Sequence, residues 1–179
     1  MKKILLIFTL FFFLGCTAFA QSSSKIENEL LETISNNAPG DVIPVDGHTA
    51  IVEQYGESNV GIINQFQAQY GDPGNYANVY QDGDFNTAIL YQYGSNLSTS
   101  ITQTGGGNYA DIELSGNNID GDIVQDGYNN SIDQTLSGND IDYLIHQDGN
   151  NNLFIQDETD VTTDFEITQH GDGITIIIE

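Results

Sequence analysis

Positive charge is almost missing from this chain. Of 179 residues only three are Lys or Arg, against 26 Asp or Glu, for a formal net charge of −23. Lys2 and Lys3 open the sequence, so Lys25 is the single basic side chain beyond residue 20. Such a surface repels phosphate, which argues against nucleic acid and anionic membranes as partners. Cysteine is limited to Cys16, tryptophan is absent, and proline is confined to Pro39, Pro44 and Pro73. One cysteine leaves no disulfide framework. His48, His146 and His170 share no column or spacing that would build a zinc site. The calcium nonapeptide repeat and the EF-hand loop are also missing, so the acids read as solubilising charge and no metal or cofactor is expected. Ser and Asp are scattered without triad spacing, and no long insert could shape a cleft, so the chain does not read as an enzyme.

What is present begins with an export signal. Lys2 and Lys3 precede an apolar run from Ile4 to Leu14, and Ala18-Phe19-Ala20 offers small residues around a cleavage point before Gln21. Residues 1–20 therefore read as a signal peptide, too short for a membrane span. Cys16 after Phe13-Leu14-Gly15 leaves lipoprotein acylation open as an alternative. Cleavage after Ala20 removes two lysines and no acid, taking the charge from −23 to −25. Residues 21–48 form a leader, flexible or marginally helical. Ser24 and Glu27 have capping-box spacing, and Ile26, Leu30, Leu31 and Ile34 share a helical face. Pro39-Gly40 and Pro44 then break regular structure.

Residues 49–179 carry a repeat. Gly83, Gly94, Gly105, Gly116, Gly127, Gly138 and Gly149 recur every 11 residues; Asp160 takes the next place and Gly171 restores glycine. Gly56 and Gly71 belong to looser early copies, 15 residues apart. A fixed short period marks stacked repeats, and glycine suits tight turns that need positive φ. Between the turns, alternation places one parity inside. Leu90, Ile101, Ile112, Ile123, Ile145, Ile167 and Ile178 make that parity the core, with Gln134 and Gln156 in the same column. Alternate 11-mers differ, so the true unit is 22 residues. The expected fold is all-β: a flat two-sided β-solenoid of about five or more 22-residue strand-turn-strand coils, able to stack into cross-β fibres. Inward amides fit this, because stacked Gln and Asn can hydrogen-bond to their own copies. The expected core ladder is Gln54, Asn59, Gln81, Asn86, Gln103, Asn108, Gln125, Asn130, Gln147, Asn152 and Gln169. The outward Tyr80, Tyr91, Tyr93 and Tyr109 read as strand-surface aromatics.

The segment Gln81-Asp-Gly83-Asp-Phe-Asn86-Thr-Ala88-Ile-Leu-Tyr-Gln92 resembles the curlin repeat of bacterial curli fibre subunits. Gln103, Gly105, Asn108 and Ala110 repeat the pattern until Leu114 replaces the last Gln. Gln54-Gly56-Asn59, Gln125-Gly127-Asn130 and Gln147-Gly149-Asn152 repeat its first half. The resemblance implies a secreted monomer that self-associates into extracellular amyloid fibres at the bacterial surface. It also implies a nucleator subunit, an outer-membrane secretion pore that reads the leader, and adhesion to abiotic or host surfaces. Leu114, Leu136, Ile119 and Ile141 depart from the Gln/Asn pattern and leave the rank of the subunit undetermined. A soluble, non-polymerising β-solenoid adhesin or ligand-binding protein is the alternative reading.

Overall fold

A computed structural model describes residues 15–22, 47–66 and 73–179, the first of these through its backbone pairing only. The described elements are all strands: β1 (Gly15–Ser22), β2 (Thr49–Tyr55), β3 (Asn59–Phe66), β4 (Tyr76–Asp84), β5 (Thr87–Gly106), β6 (Tyr109–Tyr128), β7 (Ser131–Asn150), β8 (Leu153–Val161), β9 (Phe165–His170) and β10 (Thr175–Ile178). The leader helix and Gly71 lie outside the described residues.

The chain is a β-solenoid of about five turns. One side stacks β2, β4, the second halves of β5, β6 and β7, and then β9. The other stacks β3, the first halves of β5, β6 and β7, then β8 and β10. All these pairings are parallel, and Gln103 lies on Gln125 and Gln125 on Gln147, a step of 22 residues. The first step is 27 residues, from Gln54 to Gln81, five more than the later ones. β1 differs: it lies antiparallel along β3, with Ser22 opposite Asn59, and spans the expected cleavage point at Ala20.

Side chains alternate strictly in and out, as in β7, where Ile132, Gln134 and Leu136 are buried between half-exposed or exposed neighbours. The flat interior holds Leu90, Leu97, Ile101, Ile112, Leu114, Ile119, Ile123 and Phe154 without measurable exposure beyond 1 %. Each such aliphatic side chain contributes about 1.5–3 kcal/mol by leaving water.

The core changes along the stack. One inward column reads Ala50, Ala77, Thr99, Gly121, Tyr143, Phe165. The column across the interior reads Gly61, Ala88, Ala110, Ile132, Phe154, Ile176. Small side chains fill the early layers and large ones the late layers. Tyr143 uses the space that Gly121 leaves, since a Cβ there would collide with its ring, and it stacks on Phe165 at 5.3 Å.

Candidate functional site: the interior amide ladders

Two sequence features build the ladders: glycine turns that hold successive layers in register, and amides on the inward parity beside those turns. Gly83, Gly94, Gly105, Gly116 and Gly127 have φ between 101° and 148°. An added Cβ would also strike the carbonyl of the next layer's glycine. Gly138 is the exception. Its φ is not left-handed, and it is small because Val161 O approaches where the β7–β8 register shifts. Asp160 takes the glycine period's place with φ 59°.

In the first column each Gln Nε2 donates to the Oε1 of the next layer. The links are Gln54 to Gln81 (2.6 Å), Gln81 to Gln103 (2.7 Å), Gln103 to Gln125 (2.8 Å), Gln125 to Gln147 (2.9 Å) and Gln147 to Gln169 (2.7 Å). The same nitrogen of Gln81, Gln103, Gln125 and Gln147 also donates to a strand carbonyl of the opposite side, as Gln103 does to Thr87 O at 2.9 Å. These amides are buried with both N–H groups and the oxygen used, which removes the cost of burying them. Gln169, in the last layer, donates instead to Leu153 O and Ile174 O.

The second column is asparagine. The Oδ1 of Asn59, Asn86, Asn108 and Asn130 accepts the backbone N–H of the next asparagine, and Asn152 Oδ1 accepts from Ile174 N. Each Nδ2 donates to the turn-glycine carbonyl of the next layer, at Gly83, Gly105, Gly127, Gly149 and Gly171. This column locks one turn of every coil. Ile174 ends it.

A second set of amides, of which the sequence placed only Gln134 and Gln156 on the inward face, also forms ladder bonds. Gln65 donates to Gln92 at 2.9 Å, and Gln134 to Gln156 at 2.9 Å. Asn75 repeats the asparagine pattern at the opposite turn, its Oδ1 accepting Leu97 N and its Nδ2 donating to Gly94 O. The shared parity of Gln65, Gln92 and Asn75 with the first set was the available signal. Sequence spacing gives His48 no place in the repeat. His48 heads the Asn75 column instead, with Nδ1 accepting Asn75 N at 3.0 Å where other layers use an asparagine oxygen. Burial pushes the His48 pKa down. His170 pairs with Asp148 at 2.7 Å on the exposed face. Among the described residues no group of three or more His, Cys, Asp and Glu side chains could hold a metal ion.

The ladders store cohesion in one direction only, along the stack. Their chemistry is hydrogen bonding between like layers, and the fold and the site together define an amide-cored β-solenoid, which points to a structural protein. Residues 73–105 match the family model of the Curlin associated repeat. That span holds Asn75, Gln81, Asn86, Gln92 and Gln103, so the resemblance read from the sequence is met in the coils where the amides are densest. No curated protein and no solved structure matches the chain.

Proposed function

We propose that this chain is a secreted structural subunit of extracellular curli-like amyloid fibres, serving adhesion and the biofilm matrix. The observation that carries the reading is the parallel, in-register ladder running through every layer, from Gln54 to Gln169. From Gln81 to Gln147 each layer repeats the same bonds, so a further coil can extend it. Among the described residues β9 and β10 have no strand beyond them, and open strand edges are templates for pairing. The curlin match extends the reading to a nucleator subunit and an outer-membrane pore as partners. In this reading residues 1–20 are cleaved on export and residues 21–48 address the pore. The Gln54–Gln169 and Asn59–Asn152 columns form the amyloid core, and the chain carries out no catalysis. Electron microscopy with fibre diffraction on the exported protein tests it. Unbranched fibrils with a meridional spacing of about 4.7 Å are expected. Protein that stays monomeric for days under varied salt and pH would overturn it.

A further inference from the structure

We propose that the edge formed by β2 and β3 is built to receive a coil from a different chain, one with Gln and Asn beside both turns. The occupant resembles the coil this protein itself forms at residues 75–92. The inference rests on the fibre reading above and adds to it the partner at one edge.

Three observations carry it. First, the ladder has a direction: each glutamine nitrogen donates toward the next layer's oxygen, so the first layer is left with acceptors. Gln54 Oε1 and Gln65 Oε1 are buried and have no partner among the described residues. β1 pairs with β3 along that edge, and cleavage at Ala20 would remove Gly15–Ala20 from it. Two donors are therefore wanted, one over each side of the solenoid. Second, the last described layer of this chain does not repeat the amides of the first. Gln169 could serve Gln54. The column of Gln65 gives up its amides after Gln92, reading Leu114, Leu136 and Glu158 in the following layers. The asparagine column ends at Ile174, which has no oxygen for the backbone N–H of a following Asn59. Third, the inward side chains differ in size: Ala50 and Gly61 at the first edge, Phe165 and Ile176 at the last. A coil with Asn75, Gln81, Asn86 and Gln92 beside its turns, and Ala77 and Ala88 between them, meets every one of these requirements.

The test uses seeds that differ only in their last layer. Fibre seeds of the exported protein and of its Ile174→Asn, Ile176→Ala variant are offered to labelled exported protein, and uptake is followed by fluorescence. The double variant restores the asparagine bonds and a small side chain at the receiving junction. Its seeds should take up chain about tenfold faster, the scale set by two regained hydrogen bonds. Seeds of Ile174→Asn alone, a milder change in the same layer, should give a smaller gain of the same sign. Equal or slower uptake on both variants would overturn the proposal while leaving the fibre reading intact. No uptake on any seed would overturn the fibre reading itself, and the proposal with it.

Discussion

In the second layer all four inward positions flanking the turns are amides: Asn75, Gln81, Asn86 and Gln92. Two layers on, the same positions hold Ile119, Gln125, Asn130 and Leu136. The backbone is the same in both regions, with glycines at φ 127° and 120° at Gly83 and Gly127. One turn thus keeps its amides throughout, and the other exchanges them for aliphatic side chains. At that second turn the ladder moves outside: Asn96 donates to Asn118 and Asn118 to Asp140, each at 2.8 Å and exposed. The comparison teaches that a solenoid needs one continuous interior ladder to hold register. A second is replaceable where apolar packing and an exterior amide row take over.

The largest expected effect should be equal in the two regions, because the turn is common to both. Gly83→Ala and Gly127→Ala each force a Cβ into the next layer's glycine carbonyl at positive φ. Each should cost about 4 kcal/mol by urea denaturation. A tolerated substitution in either region would break the claim of a shared backbone.

The regions should separate when the core is cut. Leu136→Ala in the late layers removes a fully buried side chain and should cost about 3 kcal/mol. Gln92→Leu, at the same column in the early layers, copies the later chemistry. It should cost only about 1 kcal/mol, because the apolar volume that Leu keeps in the core offsets the bonds lost to Gln65, Thr99 and Tyr76 O. Gln103→Ala, in the column both regions keep, breaks bonds to Gln81, Gln125 and Thr87 and should cost about 2–3 kcal/mol. A ranking with Gln92→Leu above Gln103→Ala would reverse the assignment of the essential ladder.

A smaller effect is confined to the first layer and depends on pH. His48 must be neutral at Nδ1 to accept from Asn75, and burial lowers its folded pKa below the usual value of 6.5. The unfolded chain then binds the proton more readily, so stability is full above pH 6.5 and declines as pH falls below it toward the lowered value. Hydrogen exchange at the Asn75 amide should speed up over that window, and His48→Asn should flatten the profile. An unchanged profile in the variant would remove His48 as the cause.

The smallest effect belongs to the late layers. Tyr143 is buried, its hydroxyl has no partner among the described residues, and burial followed by Asp122 and Asp120 raises its pKa. Tyr143→Phe should be neutral or stabilising by up to about 1 kcal/mol in thermal unfolding. A clear loss would show that the hydroxyl is satisfied.

Much of this was legible in sequence. The 11-residue glycine period and the parity of Leu90, Ile101 and Ile112 fix strand, turn and inside face, because alternation leaves a strand only two faces. The direction of the ladder was not legible, because a glutamine's spacing does not say which neighbour its nitrogen meets. Nor was the role of His48, since the preceding period is broken by five extra residues and only the folded register brings it over Asn75. Tyr143 and Gly121, 22 residues apart, look unrelated until stacking puts a ring where a side chain is missing. Local periodicity thus determined the coil. Which side chains meet between coils, and which acceptors are left at the first edge, was decided by layers that touch only after the chain has wound on itself.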